Sequence, residues 1–460
     1  MTQSPPLPNV RLPHRHDAPL PASEQTPAQK KNLRRAGAAG LIGTALEQYD
    51  FIIYGTATAI VFNEIFFSSL TPAMGFIAAF GTYAVGFGAR PLGGLFFSRI
   101  GDRIGRKAVM VSTLFIMGVA TFLIGVLPTY EQVGILAPLL LVACRFLQGF
   151  GAGAEQASGV VLLAETAGPG RRGRFSSLVF VGSALGTALG AIVWILVQLM
   201  PREDLLSYGW RLVFLSSIFV TIGAFIIRIK MAESPVFEQL KAEGTLKDSK
   251  PPISDVVKNG RPNLTRVFFL NLGPNGFSYI VQVFMGSYLI SRIGMDPTLI
   301  PKILLAGAVA GMVSAFAFGA LSDIYGRRRV YLIVTGLLLF YPVAAFATLS
   351  TGNVVAVGAV IVVGFILAAY GAPGVSAPYF PELFGSRYRY AGVTLGREFS
   401  SVLGGGIAPL VCSALIAWAT GSWWPVAIYM TAIMLISFVT ALRSPETRDR
   451  DMLDESDARL

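Results

Sequence analysis

The sequence predicts an all-α integral membrane protein in which twelve transmembrane helices form two six-helix bundles. Three observations carry this reading. Hydrophobic residues make up 53% of the 460 residues and charged residues only 14%, with a mean hydropathy of +0.61. A soluble domain carries roughly 25% charge, so this chain belongs in lipid. Twelve apolar runs, each close to the ~20 residues a helix needs to cross a bilayer, follow one another with short polar breaks. Finally, a charged turn recurs: Gly101-Asp102-Arg103-Ile104-Gly105-Arg106-Lys107, after the second run, is echoed after the eighth by Ser322-Asp323-Ile324-Tyr325-Gly326-Arg327-Arg328. Glu165 with Arg171 and Arg172 is echoed at nearly the same offset by Glu382 with Arg387 and Arg389. Self-similarity at close to half the chain length marks two related halves.

Residues 1–33 hold Pro5, Pro6, Pro8, Pro13, Pro19, Pro21 and Pro27 and no early apolar core, so they read as a disordered cytoplasmic tail and not as a signal peptide. His14 and His16 lie there without further ligands nearby, and no metal site is expected. The first six runs fall near 36–63, 73–98, 108–127, 136–164, 175–200 and 210–229, giving an N-terminal six-helix bundle over 34–229. A cytoplasmic central loop over 230–263 holds Lys241, Lys247, Lys250, Lys258 and Arg261. The second six runs, near 264–290, 301–321, 330–349, 353–378, 391–417 and 423–442, give a C-terminal bundle over 264–443, and 444–460 is a charged cytoplasmic tail. Cys144 and Cys412 each fall inside an apolar run and read as small buried residues.

The net charge of +11 does not point to nucleic acid, because the bases sit in short breaks between apolar runs and not along one face. Threading the runs puts Arg202, Arg211, Arg292 and Lys302 on one side, Arg90, Arg145 and Arg397 inside the membrane, and the rest of the 37 Lys and Arg on the other side. That imbalance predicts a multi-pass protein of the cytoplasmic (inner) membrane with both termini cytoplasmic.

The repeated Gly-Asp-Arg-x-Gly-Arg-Lys turn resembles the loop signature of the major facilitator superfamily. Other pieces resemble one branch of it, the metabolite:proton symporters. They are Glu47, Tyr49, Asp50, Phe51 and Tyr54 in span 1, Arg90-Pro91-Leu92-Gly93 in span 2, and Arg145-Phe146, Gln148-Gly149 and Glu155 in span 4. Gly209-Trp210-Arg211 and Glu233-Ser234-Pro235 with Phe237 flank span 6, while Pro381-Glu382-Leu383-Phe384 and Gly404-Gly405-Gly406 lie in the second half. The likeness is collinear over 36–446. It implies a twelve-helix transporter with a central site between two bundles, moving an organic solute with a proton. Two departures keep the substrate from being copied from a relative. Gln48 stands where the family commonly has an aromatic, and Gln156-Ala157-Ser158 stands where Trp-Gly-Gly commonly follows the span-4 glutamate.

Ionisable groups inside a bilayer cost several kcal/mol unless they face a cavity or a partner, so each is a functional candidate. No span contains a histidine, so a coupled proton must ride on a carboxyl. The candidates are Glu47, Asp50, Glu155 and Glu398. Glu47 and Asp50 share one helix face, with Tyr54 a turn beyond, and the sequence does not choose between them. The substrate-binding candidates are Gln48, Tyr54, Arg90, Arg145, Gln148 and Arg397. A span-4 arginine either clamps a substrate carboxylate or neutralises Asp50 or Glu155. Arg397 and Glu398, being adjacent, point about 100° apart and do not pair with each other.

The turns, Gly101, Asp102, Arg103, Gly105 and Arg106 in one copy and Asp323, Gly326 and Arg327 in the other, read as gates. An aspartate at a span end meets a neighbouring helix N-terminus and nearby arginines, and such a contact holds one face shut. Gly149, Gly151 and Gly153 follow no strand, so they let helices approach and do not cradle a phosphate; the same holds for Gly182, Gly186, Gly190 and Gly404–Gly406. Phe51, Tyr54, Tyr279, Tyr370 and Tyr379 either pack or line a site, and Tyr379, beside Pro378 and Pro381, reads as a bend at the end of span 10.

The expected function is proton-coupled symport, in the uptake direction, of a small organic metabolite by alternating access. Three intramembrane arginines favour a carboxylate. The alternatives are uptake of a zwitterionic osmolyte such as proline or betaine, drug:proton efflux, and a non-transporting membrane solute sensor, which tails this short disfavour. With no nucleophile–base pair in the pattern, an enzyme is not expected, nor a cofactor, nor a nucleic-acid partner. A functional monomer in the lipid bilayer, handling a metabolite and a proton, is.

Overall fold

The computed structural model describes residues 27–104, 106–153, 155–229, 256–258, 260–386, 388–452 and 454–459; the side chains of 27–32, 39, 98–104, 106–108, 110, 155, 220, 224 and 227–229 lie outside the described set. Among these residues the chain forms twelve long helical rods. The first half holds α1 (Pro27–Ile60), α2 (Pro72–Ile104), α3 (Arg106–Val126), α4 (Leu136–Ala152 continued by Glu155–Thr166), α5 (Arg172–Ser176 continued by Leu178–Val197) and α6 (Trp210–Leu215 continued by Ser217–Ile229). The second holds α7 (Arg261–Tyr279, running on to Ile293), α8 (Leu299–Tyr325), α9 (Arg327–Leu349), α10 (Val354–Gly364 and Gly371–Leu383), α11 (Arg389–Ser401 and Ala408–Trp418) and α12 (Trp424–Leu442). The all-α, twelve-helix, two-bundle expectation is met.

Among the described residues nine helices are long and apolar enough to cross a membrane by composition, α3 contributes the shorter apolar stretch Val111–Val126, and α1 and α7 are in neither group. Both are diluted by polar side chains that the fold buries: Glu47, Gln48 and Asp50 in α1, Asn271, Ser278 and Gln282 in α7. The second half also carries wide π-type turns, at Ile280–Phe284 in α7, Phe365–Ala369 in α10 and Val402–Ile407 in α11. Such turns concentrate at functional sites, where they re-aim side chains.

The predicted boundaries shift in two places. α1 begins at Pro27, inside the stretch read as tail, because Pro27 suits a first helical position and no breaker follows before Gly37. The break in span 10 is at Tyr370, with φ −132°, and not at Tyr379. Pro378 and Pro381 ride inside Gly371–Leu383, where buried Tyr379 and Phe380 hold the helix together. The wide turn just before Tyr370 swings its hydroxyl toward α5.

Small residues set the helix spacing. A Cβ added to Gly149 would overlap the Gly86 carbonyl, and one on Gly93 would overlap that of Phe150, so α2 and α4 touch backbone to backbone. Gly182 and Gly186 bring α5 equally close to Leu41 and Ala45 of α1, whereas a Cβ on Gly190 would meet side chains, Ile52 Cγ2 at 3.1 Å and Ile53 Cγ2 at 3.4 Å. Gly149→Ala is expected to force α2 and α4 apart and destabilise by about 1–3 kcal/mol. It should lower the melting temperature, while Gly81→Ala, with nothing within 4 Å of the new Cβ, should not. Equal melting temperatures for the two variants would refute the close approach.

The bundles meet along α5/α8, α2/α11, α1/α7 and α4 with α10 and α11. The face where α1 starts and α12 ends is called here the terminal face, and the opposite one the far face. The segment after α12 does not trail away. Ser386 N–H donates to Asp454 O (3.0 Å), Gly385 N–H to Asp457 Oδ1 (2.9 Å) and Ala458 N–H to Leu383 O (2.9 Å), so it binds the turn between α10 and α11.

Candidate functional site

Three arginines and three carboxylates are buried in the centre, Arg90, Arg397, Glu47 and Glu398 where the bundles meet and Arg145 and Asp50 among side chains of the first bundle, and they are partnered unequally. Arg90, from α2, is saturated: Nη1 lies 2.8 Å from Glu47 Oε1 of α1, and Nε donates to Glu398 Oε2 of α11 at 2.8 Å. One guanidinium thus bridges a carboxylate of its own bundle and one of the other. Glu398, pointing at Arg90, and Arg397, pointing elsewhere, diverge as adjacent helical residues must. Arg397 Nη2 donates to Gln156 Oε1 of α4 (3.0 Å) and its guanidinium lies 5.4 Å from the Phe180 ring, while Nη1 has no hydrogen-bond partner among the described residues.

Arg145, from α4, is fully buried in a cage of Tyr54, Tyr83 and Phe51, with ring centroids 3.9, 5.0 and 5.1 Å from its guanidinium carbon. Cation–π contact steadies the charge without using the N–H groups. Nη1 donates to Gln148 Oε1; Nε and Nη2 have no partner among the described residues. From Gln148 the bonding continues: Nε2 donates to Thr121 Oγ1 (2.7 Å), whose single proton has Asp50 Oδ2 and Met117 O, each at 2.9 Å, as alternative acceptors. Asp50 is therefore wired to Arg145 through two neutral side chains. Unlike Glu47 and Glu398, it has no ion pair among the described residues.

A third, uncharged cluster ties the bundles together. Gln282 Oε1 of α7 accepts from Gln48 Nε2 (3.3 Å) and from one of the Thr187 (3.4 Å) and Tyr370 (3.3 Å) hydroxyls, the other of which donates across the 2.7 Å contact between Thr187 Oγ1 and Tyr370 Oη. Ser183 donates to Gln48 Oε1 at 3.1 Å, and Gln282 Nε2 donates to Ser278 Oγ at 2.7 Å. Residue reading by charge passed over Gln282, Thr121, Thr187 and Ser183, because a neutral polar side chain in a span has no signature of its own. The interrupted hydropathy of α7 was the available signal.

At the terminal face Asp323 of α8 accepts from the N–H groups of Gly173 (2.8 Å) and Arg174 (3.0 Å), at the start of α5 in the other bundle, and from Arg327 Nη1 (2.8 Å). Gly326, with φ +98°, makes the left-handed turn between α8 and α9 that brings Arg327 back onto Asp323. Arg327 Nε donates to Glu382 Oε2 at 3.1 Å. The repeated glutamates and arginines then pair reciprocally between halves: Arg172 with Glu382 (3.6 Å) and Arg389 with Glu165 (2.9 Å). In the first turn Gly105, and the side chains of Gly101, Asp102, Arg103 and Arg106, lie outside the described residues, as does that of Glu155. Tyr379 lies near this face, its hydroxyl donating to Pro445 O (2.9 Å), away from the central cluster.

At the far face Gln198 Nε2 donates to Pro297 O (3.2 Å), and a Cβ on Gly55 of α1 would lie 2.9 Å from Val283 of α7. The bundles thus touch at both ends around a buried polar centre.

Two bundles enclosing a charged centre, with ion pairs joining them at one end, define a multi-pass membrane transporter. The family model of the Major Facilitator Superfamily matches residues 40–396, and the chain belongs to that superfamily. It is 37% identical over 415 residues to the shikimate transporter of Escherichia coli (strain K12), covering 89% of this chain and 94% of the relative. It is 34% identical over 415 residues to a putative proline/betaine transporter of Staphylococcus aureus (strain COL), covering 89% and 87%. An inner membrane metabolite transport protein of Escherichia coli (strain K12) is 33% identical over 440 residues, covering 93% and 97%. The crystal structure of a D-xylose–proton symporter superposes with a TM-score of 0.69 at 16% identity, over 90% of this chain and 99% of that one. That last likeness is one of fold. The chain is a transporter and not an enzyme.

Proposed function

We propose that the protein is an inner-membrane symporter, its termini cytoplasmic, that takes up a small organic carboxylate with a proton by alternating access. The unequal partnering of the three buried arginines carries the reading. Arg90 is held by two carboxylates and acts as a strut. Arg145 and Arg397 each keep N–H groups free of any described acceptor, and a buried guanidinium with open donors suits a bidentate anion. With Glu47, Asp50 and Glu398 ionised, the cluster is neutral overall. An anion arriving with one proton leaves that balance unchanged. Asp50, the carboxyl without a fixed counter-ion, is then the proton site, and its link through Thr121 and Gln148 to Arg145 couples proton to solute.

The relative named a shikimate transporter supports a carboxylate. The relatives named proline/betaine transporters support a zwitterion, but the aromatic cage that would suit a quaternary ammonium is filled by Arg145 itself. The Asp323–Arg327–Glu382 cluster and the reciprocal pairs hold the cytoplasmic face shut and must part when the site opens inward.

Proteoliposomes with an inward-directed proton gradient test the reading. Shikimate should accumulate and a protonophore should abolish the accumulation; uptake of betaine and not of any acid would overturn it. Arg397→Lys, which keeps the charge but loses the planar fork, is expected to raise the KM for the acid by about tenfold. An unchanged KM would assign Arg397 to packing against Gln156 and Phe180.

A further inference from the structure

We infer that the groove between α7 and α12 at the terminal face binds the phosphate headgroup of an anionic phospholipid. The groove has a volume of about 340 Å³ and is lined by Thr265, Arg266, Phe269, Val439, Thr440 and Arg443. Two guanidinium groups therefore reach it from different helices, Arg266 one turn into α7 and Arg443 directly after α12. No carboxylate is among its lining residues.

The two arginines are not spent on other partners in the way the gate arginines are. Arg266 Nη1 donates to Asn263 Oδ1 (2.7 Å) and Ala458 O (3.3 Å), both neutral acceptors. Arg443 is exposed and its guanidinium makes no hydrogen bond or ion pair among the described residues. Paired cations without a counter-ion over a concave bed fit a phosphate monoanion. The Thr265 and Thr440 hydroxyls donate to the helix carbonyls of Pro262 (2.9 Å) and Ile436 (2.7 Å), so the arginines supply the donors.

The bed selects the lipid over a free anion. Phe269 and Val439 are exposed, at 40% and 37%, and the apolar surface continues along α12 through Leu435, Ile436 and Leu442. Acyl chains would lie along this wall while the headgroup sits at the helix ends, where a basic pocket between spans meets the anionic surface. Arg266 also holds the Ala458 carbonyl, so occupancy of the groove would brace the C-terminal segment. The site is separate from the central cluster and stands whether or not the solute is an acid.

The test is the melting temperature of the purified full-length protein in neutral detergent, titrated with phosphatidylglycerol, phosphatidylcholine or inorganic phosphate. Phosphatidylglycerol is expected to raise it by several degrees because it binds the folded state, with little response to the other two. Arg266→Gln/Arg443→Gln should lose that increment. An equal rise with phosphatidylcholine, an undiminished rise in the double variant, or an equal rise with phosphate alone would each overturn the proposal. Should the double variant fold poorly, Phe269→Trp is compared with the parent, whose five tryptophans set the background: the extra quenching in the variant should be greater with brominated phosphatidylglycerol than with brominated phosphatidylcholine, and equal extra quenching refutes the site.

Discussion

Asp50→Asn is expected to erase the stimulation of uptake by a proton gradient, about 5–150-fold for a coupling of ordinary size, while exchange of labelled for unlabelled solute continues. The asparagine keeps the shape and can still accept from Thr121, so the Arg145–Gln148–Thr121 chain survives. What disappears is a charge that can come and go. Neither Glu47 nor Glu398 can play this part without a structural penalty, since each holds Arg90 at 2.8 Å. Breaking a buried pair by removing one partner costs about 3–5 kcal/mol. Glu398→Gln should therefore show itself mainly as a lower melting temperature. The decisive readout is the pH dependence of uptake: if Asp50→Asn keeps it and Glu398→Gln loses it with the fold intact, the proton rides on Glu398 and the assignment falls.

The architecture was legible because lipid makes a coarse demand. A span must be apolar over its length, and the repeated turn at 101–107 and 322–328 announces two halves before any contact is known. Charge in a span is similarly loud, and all six such residues are buried, Glu47, Arg90, Arg397 and Glu398 where the bundles meet and Asp50 and Arg145 within the first bundle. How they divide among one another was beyond the sequence. Spacing along one helix says that Glu47 and Asp50 share a face, but which of them Arg90 takes depends on the rotation of α2 against α1, each of which is seated by a different neighbour, α2 on α4 and α1 on α5. Gln282 shows the other limit. Its role as acceptor for Gln48 and for one of the Thr187 and Tyr370 hydroxyls rests on wide turns in α7 and α10, and nothing in a neutral residue advertises a wide turn. The reciprocal pairing of Glu165 and Glu382 with the other half's arginines needs both halves folded and docked, so the repeat by itself carries no hint of the exchange.

That exchange is asymmetric in burial, and the second large effect follows from it. Glu382 is fully buried against Arg327 and Arg172, and it also accepts from Thr447 Oγ1 at 2.8 Å; Glu165, facing Arg389, is 46% exposed at its side chain. Among the described residues, removing that buried carboxylate strands the Arg172 guanidinium without a counter-ion and leaves Arg327 with Asp323 alone, at about 3–5 kcal/mol. Glu165 reaches solvent, and its partner Arg389, though buried, also donates to the carbonyls of Pro381 and Met452. Losing that carboxylate leaves Arg389 partnered and costs less, nearer the value of a screened pair, about 0–1 kcal/mol. Glu382→Gln is therefore expected to lower the melting temperature and, through its lost contact with Arg172 of the other bundle, to open the terminal face more often. Glu165→Gln should do little. The opening can be read by a Ser177→Cys probe, buried in the parent beside Gly319 at the contact of α5 with α8. A 1.4 kcal/mol shift in the opening equilibrium is tenfold in modification rate by a membrane-impermeant maleimide, and Cys144 and Cys412 are buried and should stay silent. Faster labelling in Glu382→Gln than in Glu165→Gln by about tenfold or more is the expected result. Equal rates in the two variants would mean that the two pairs share the closure evenly and that burial does not decide which of them holds the face shut.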